Sequence, residues 1–303
     1  MPVPVVAPRG SLVGGSWVLA GAACLSVTAV IVELAGVDAP TTAFLRCALA
    51  VVLLAPFAVR EARLHGRLSG RGVAWSALAG LALGTDYSAW TASIYAVGAG
   101  VATVLINVNV VVLPLLSRVL DGEPVPRRFA VAAGPMLLGV GLVGGLGSGG
   151  VGEDPVRGTA LALLAGIGYA CYLYLTRRAT RGDPGVVLQP LVWASAAAAG
   201  AAALLSPLSS GLGLAGLGPR AWVLMVLLAL LGQALAFAFV NRGSPRLSSS
   251  AVAALLLAQP VLALVISRVV LDERVGPLQV VGVVLVLGAV AHSSRAVDVL
   301  RRR

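Results

Sequence analysis

The chain has 303 residues, of which 58% are hydrophobic and 11% charged, with a formal net charge of +10 and a mean hydropathy of +0.96. A soluble domain of this size carries about 25% charged residues, so this composition excludes a water-soluble globule. All 22 basic residues are arginines, and nearly all of them lie in short segments outside the apolar runs. The positive charge therefore indicates an oriented membrane protein, and nucleic acid is not an expected partner.

Long apolar runs identify the kind of membrane protein. In lipid, only α-helices and closed β-barrels satisfy their own backbone hydrogen bonds. Barrel strands alternate apolar and polar residues, whereas AWVLMVLLALLGQALAFAFV, from residue 221 to 240, is continuously apolar apart from one glutamine. The sequence therefore predicts an all-α integral membrane protein.

The number of spans follows from the lengths of these runs. A helix needs about 20 apolar residues to cross a hydrocarbon core of roughly 30 Å. Ten segments qualify, and short connections rich in Gly, Pro and Arg separate them. The predicted spans are 15–35, 40–59, 73–95, 98–119, 128–146, 158–176, 186–206, 221–241, 248–270 and 275–293.

The arginine distribution tests this count. With the N-terminus in the cytoplasm, seventeen arginines fall on inside segments, four fall outside, and Arg46 lies within a span. Cytoplasmic loops of membrane proteins carry an excess of basic residues. We therefore expect ten spans in the cytoplasmic membrane, with both termini in the cytoplasm.

A charged phrase occurs twice in the chain. SRVLDGEPV (117–125) and SRVVLDERV (267–275) agree at five of nine positions, each pair 150 residues apart. Five predicted crossings separate the copies, so they face opposite sides of the membrane. This pattern predicts two inverted five-helix repeats, 1–150 and 151–303, which is a recurrent architecture of secondary transporters. Glu123 and Glu273 are expected to anchor hairpins or form ion pairs, without direct solute contact.

The C-terminal sequence AVAALLLAQPVLALVISRVVLDERVGPLQVVGVVLVLGAV (251–290) resembles the EamA-type members of the drug/metabolite transporter superfamily. The repeat of that family ends in a helix with a proline, an acidic residue thirteen positions later, and a glycine-containing last helix. Pro260 and Glu273 fit this pattern, whereas in the first half Val110 stands thirteen positions before Glu123. The resemblance implies a transporter, with efflux favoured, of amino acids, sugar conjugates, drugs or other metabolites.

Charged side chains inside spans are costly and usually face the bundle interior or a water-filled cavity. Arg46 and Asp86 both fall in the outer half of the first repeat. We hypothesise a pair or near-pair lining an outward vestibule, where Asp86 accepts a proton or binds a substrate amine. The alternative is a static pair with a structural role. Trp90 supplies either an aromatic wall for the solute or simple packing.

A second polar group collects near the predicted midplane. At about 1.5 Å per residue, similar depths are predicted for Asn107, Tyr169, Gln233 and Gln259, which come from both halves of the chain. Such a set suits a central site that binds a polar or zwitterionic solute through hydrogen bonds. The alternative is hydrogen bonding between helices. Gly80 and Gly84, four residues apart, are expected to bring two helices close together.

Several functional classes leave no signature. The sequence has no phosphate-binding GxxxxGK[ST] loop, no paired cysteines and no histidine spacing typical of a metal site. We therefore expect neither a cofactor nor a metal, and a transporter that is not an enzyme. A small-molecule solute and the lipid bilayer are the expected partners, with protons and a homodimer as open possibilities. A channel or a receptor-like membrane scaffold is the alternative function.

Overall fold

The structure is a computed structural model that describes residues 9–122, 127–143, 153–179, 186–208, 211–236, 239–240, 255, 258–272 and 276–301. Within these ranges every regular element is helical. The predicted all-α class is therefore confirmed. Helix occupies at least part of each of the ten predicted segments. A short 3₁₀ turn divides the fourth segment, and another ends the seventh.

Helices α1 to α6 precede the middle of the chain. Their bounds are α1 Arg9–Ala35, α2 Ala39–His65, α3 Gly70–Val97, α4 Ala99–Leu105, α5 Asn109–Asp121 and α6 Arg127–Val143. A 3₁₀ turn, Ile106–Val108, joins α4 to α5.

The remaining helices follow after residue 153. Their bounds are α7 Pro155–Ala179, α8 Leu188–Leu205, α9 Pro219–Ala229, α10 Ala258–Val270 and α11 Pro277–Arg301. Short 3₁₀ turns occupy Ser206–Leu208 and Leu214–Gly216, and a π-helical segment, Leu230–Leu235, continues directly from α9.

Four helical segments in the described residues are long and apolar enough to cross a membrane. They are Val13–Ala35, Ala39–His65, Ala99–Asp121 and Pro155–Thr176. Helix α3 has 28 residues, which is ample length, but hydroxyl groups and Asp86 interrupt its apolar sequence. The polar side chains of α3 need protein around them, and α3 packs along both α7 and α8.

Short connections start the helices through side-chain caps. At the start of α2, the Thr41 backbone N–H donates to Asp38 Oδ1 at 2.9 Å. At the start of α3, the Gly72 N–H donates to Ser69 Oγ at 3.1 Å. Such caps satisfy N–H groups that lack a partner within the helix.

Glycines set the distance between α3 and α8. A Cβ at Gly80 would lie 2.2 Å from the Ala194 carbonyl oxygen, and one at Gly84 would lie 3.3 Å from the Ala198 carbonyl oxygen. The expected close approach at both glycines is confirmed. Because residue numbers rise together on the two helices, α3 and α8 run in the same direction.

Replacing Gly80 by Ala is expected to lower the melting temperature of the purified protein in detergent. The added methyl group meets backbone rather than a movable side chain, so the helices must separate, at a cost of about 1–3 kcal/mol. Gly200→Ala on α8 is the matched control, because a Cβ there meets nothing within 4 Å. If both variants melt alike, the close packing at Gly80 does not stabilise the fold.

Glu61 joins the end of α2 to the start of α8. Its carboxylate accepts hydrogen bonds from the backbone N–H groups of Val187, Leu188 and Gln189 at 2.9–3.1 Å. The Gln189 side chain returns the link, accepting from the Leu68 N–H at 2.9 Å and donating to the Gly66 carbonyl at 3.0 Å. Helices α2 and α8 are therefore antiparallel, and a carboxylate distant in sequence caps α8.

Glu61→Ala is expected to destabilise the protein by about 0.5–2 kcal/mol, the usual effect of removing an N-terminal helix cap. Glu61→Gln keeps one acceptor oxygen and should melt between the alanine variant and the wild type. Arg63→Ala removes an exposed side chain from the same turn and serves as the control. Thermal unfolding in detergent measures all three, and equal melting of Glu61→Ala and Arg63→Ala would refute the cap.

The last helix of each half also meets its counterpart through glycine. A Cβ at Gly139 on α6 would lie 2.7 Å from the Gly282 carbonyl oxygen, and a Cβ at Gly282 on α11 would lie 2.7 Å from the Gly139 carbonyl oxygen. Nearby, Gln279 Nε2 donates to the Val143 carbonyl at 3.3 Å. The contact is reciprocal, and α6 and α11 are antiparallel.

Candidate functional site

Arg46 is the centre of a buried polar cluster between α2, α3 and the π-helical segment. Arg46 is only 5% exposed. The guanidinium carbon lies 3.8 Å from the centroid of the Tyr87 ring and 5.6 Å from that of Trp90. Both aromatic residues lie on α3, less than one turn apart. Cation–π contacts with desolvated rings stabilise a charge by about 2 kcal/mol, which offsets part of the cost of burying arginine.

The π-helical segment brings Gln233 into this cluster. Gln233 is fully buried, at 0% exposure, and the Tyr87 hydroxyl donates to its Oε1 at 2.6 Å. A π turn adds a residue to an α-helical turn and so changes the direction in which the following side chains point. At Gly232, a Cβ would lie 3.0 Å from Arg46 Nη2, so the absence of a side chain lets the arginine approach the helix backbone.

Asp86 lies beside this cluster, where α3 touches α7. It is 1% exposed, and a Cβ at Gly168 on α7 would lie 3.1 Å from the Asp86 backbone nitrogen. Tyr169 follows that glycine and stacks on Tyr172 with ring centroids 6.1 Å apart. Asp86 is within electrostatic range of Arg46 and of both tyrosines. Close helix packing therefore seals the carboxylate inside the protein.

Arg46 and Asp86 are neighbours without being directly paired. Among the described residues, the ion pairs join Arg178 to Asp121 and Arg268 to Asp272, and none joins Arg46 to Asp86. In this conformation both side chains are buried. The hypothesis that they form a pair or near-pair lining an outward vestibule stays a prediction.

Four buried polar atoms, three in the cluster and one on Asp86 beside it, have no hydrogen-bond partner among the described residues. Three are donors, and they are Arg46 Nε, Trp90 Nε1 and Gln233 Nε2; the fourth is the acceptor Asp86 Oδ1. Buried polar groups in folded proteins are nearly always hydrogen-bonded, so a concentration of exceptions marks a functional candidate. The cluster thus has spare capacity to bind a polar molecule or a proton.

Other residues singled out from the sequence lie elsewhere. Asn107 is on the 3₁₀ turn, and its amide donates to the Thr103 and Val104 carbonyls at 2.8 and 3.2 Å. The Gln259 backbone carbonyl accepts from the Ser26 hydroxyl at 2.9 Å, which ties α10 to α1.

Pro260 and Asn107 contact their own or neighbouring helices, whereas Glu123 and Glu273 cannot be placed. Pro260 is buried in α10, and the Asn107 side chain compensates for backbone groups where its helix is broken. Glu123 and Glu273 lie outside the described residues, so their expected anchoring role stays a prediction.

The fold and the site define a class first. It is a multi-pass helical membrane protein in which neighbouring helices enclose α3 and a buried charged cluster. The model of the EamA-like transporter family matches the chain twice, over residues 12–145 and 156–295. The chain therefore belongs to the EamA-like transporter family, whose members are membrane transporters of small solutes, and the resemblance seen in the sequence is confirmed.

Other comparisons add information about the fold alone. A crystal structure of another protein superposes with a TM-score of 0.61 over 97% of this chain and 98% of the other, at 20% sequence identity. At that identity the likeness shows a shared fold. No protein with a curated function matches the sequence significantly.

Proposed function

We propose that this protein is a secondary transporter that moves a small metabolite, amino acid or drug across the cytoplasmic membrane by alternating access. Ten transmembrane helices form two inverted repeats, residues 1–150 and 151–303, with both termini in the cytoplasm. Efflux is the proposed direction. The observation that carries the proposal is the enclosed cluster of Arg46, Asp86 and Gln233 in a chain of a transporter family.

Contacts between the two halves support the inverted arrangement. Each half has a second helix, α2 or α8, and these two meet antiparallel through the Glu61 cap. Their last helices, α6 and α11, meet antiparallel through Gly139 and Gly282. An equivalent pair of elements that contact one another in opposite directions is what a two-fold axis in the membrane plane produces.

Other contacts between the two halves also occur in equivalent pairs. Helix α3 of the first half packs on α7, the first helix of the second half, and α9 packs on α1. The α3–α8 contact likewise has its counterpart between α2 and α9. Two bodies held by such exchanged contacts can rock about a shared centre, and that motion opens a central site to each side in turn.

Within this mechanism Arg46, Gln233, Trp90 and Tyr169 form the solute site, and Asp86 is the coupling residue. Acidic side chains within spans are recurrent proton carriers in transporters. Asn107 and Gln259 lie outside this cluster, and we assign them to the proposed solute path, because the Asn107 amide bonds at the break between α4 and α5 and the Gln259 carbonyl bonds across from α10 to α1.

Flux through reconstituted vesicles tests the proposal. Purified protein is inserted into proteoliposomes and given labelled amino acids, amines and short-chain carboxylates, with and without an imposed pH gradient. Saturable, gradient-driven accumulation is expected. Ohmic current without saturation would establish the alternative, a channel, and the absence of both would point to a receptor-like scaffold.

A further inference from the structure

The unpartnered atoms around Arg46 define the chemistry of the bound molecule. We propose that the solute carries a singly charged carboxylate, which binds against Arg46, Trp90 and Gln233. This inference rests on the proposed transport function and adds the class of substrate. Its basis is the ratio of three buried hydrogen-bond donors to one buried acceptor, all without partners in the described residues.

The stacking of Arg46 sets the direction from which an anion approaches. With its guanidinium carbon 3.8 Å from the Tyr87 ring centroid, the guanidinium is covered on one face by the ring. The N–H bonds of a guanidinium lie in its plane, so a group stacked on an aromatic face still offers donors at its edge. Arg46 Nε is one such unused donor.

Trp90 and Gln233 supply the other donors of the cluster. The Trp90 ring centroid lies 5.6 Å from the guanidinium carbon, and its indole Nε1 has no described partner. The Gln233 Oε1 is occupied by the Tyr87 hydroxyl, which fixes the amide so that only its Nε2 hydrogens remain for another acceptor. A carboxylate, with two oxygens and about four lone-pair positions, accepts all three donors.

Charge limits the choice of anion. The cluster contains one cation, Arg46, with Asp86 beside it, and in the proposed coupling Asp86 holds a proton and carries no charge while the solute is bound. A doubly charged phosphate ester would add more negative charge than a single guanidinium balances, and uncompensated buried charge is strongly unfavourable. A single carboxylate is balanced by Arg46. The Asp86 Oδ1 atom remains available to a proton or to a donor elsewhere on the solute.

The test uses full-length protein in nanodiscs and pairs of probes that differ only in carrying a carboxylate or its primary amide, which lacks the negative charge and one acceptor oxygen. The pairs are hexanoate with hexanamide, 3-phenylpropionate with 3-phenylpropionamide, and leucine with leucinamide. Binding is measured as the ligand-dependent rise in melting temperature. In at least one pair the carboxylate should bind ten-fold or more tightly than its amide.

Two variants assign that preference to the proposed donors. Trp90→Phe keeps an aromatic face beside Arg46 and removes the indole N–H, so it should weaken carboxylate binding several-fold without changing amide binding. Gln233→Glu still accepts from the Tyr87 hydroxyl but loses the Nε2 donor, and it should abolish the preference for the carboxylate. Arg220→Gln, at an exposed arginine, is the control.

The proposal fails if each amide binds as tightly as its acid, if no carboxylate stabilises the wild type, or if Trp90→Phe and Gln233→Glu retain the full preference. Flux of the same probes into proteoliposomes separates this failure from failure of the transport proposal. Saturable uptake of leucinamide without uptake of any carboxylate would leave the transporter intact and exclude an anionic solute.

Discussion

Replacing Asp86 by Asn is expected to reduce proton-driven solute flux by at least ten-fold in reconstituted vesicles. Asparagine has nearly the same shape, so the contact of α3 with Gly168 on α7 is retained. An amide cannot gain and lose a proton, and coupling to a pH gradient is therefore lost. The measurement is initial uptake with and without the gradient, normalised to the amount of protein inserted.

The stability of Asp86→Asn completes that experiment. Removing a buried carboxylate without a direct ion pair should leave the melting temperature equal to or above that of the wild type, because burying a charge is costly. Asp272→Asn, at an exposed acid, is the matched control and should transport normally. Full gradient-driven flux in Asp86→Asn would remove this residue from the coupling mechanism.

Arg46→Lys is the second substitution with a large expected effect, a loss of at least ten-fold in flux for the same solutes. Lysine preserves the positive charge but not the planar group that stacks on Tyr87 and presents donors at its edge. Its compact ammonium group is also more strongly hydrated, which opposes burial at this site.

A control at another arginine shows whether the effect is specific to position 46. Arg220→Lys makes the same exchange at an exposed arginine and should leave flux unchanged. The expected rank order is wild type equal to Arg220→Lys, with Arg46→Lys far below. Equal flux in all three proteins would show that a cation alone suffices at position 46.

The helices were predictable because hydrophobicity and length govern them. Apolar runs of about 20 residues can satisfy their backbone only as helices in lipid. Caps such as Asp38 and the glycine of position 122, with φ of 69°, mark the ends. Gly80 and Gly84 were recognisable as packing positions from their spacing.

The site was predictable only in part. Rise per residue gives the depth of a side chain in the membrane, but it does not give the direction in which that side chain points around its helix. Arg46, Gln233 and Trp90 lie close together, whereas Asn107, predicted at a similar depth, bonds to carbonyls of its own helix. The direction in which a side chain points around its helix depends on how the helices pack, and no periodic pattern in this sequence specifies that packing.

Irregular turns account for most of the difference between the predicted and the observed side-chain directions. The π segment Leu230–Leu235 places Gln233 against Tyr87, and the 3₁₀ turn Ile106–Val108 reorients Asn107. Neither segment has a proline that signals a break. Gly232, directly before Gln233, is a sequence feature that could have indicated a close approach there.

The inverted architecture is tested most directly by accessibility labelling at two equivalent positions. Arg118 and Arg268 are exposed, 150 residues apart, and on the two copies of the repeated phrase. Each is changed to Cys in a background without Cys24, Cys47 and Cys171, and intact cells are treated with a membrane-impermeant maleimide. The account predicts labelling at position 268 in intact cells and at position 118 only after permeabilisation. Labelling of both positions from the same side would contradict it.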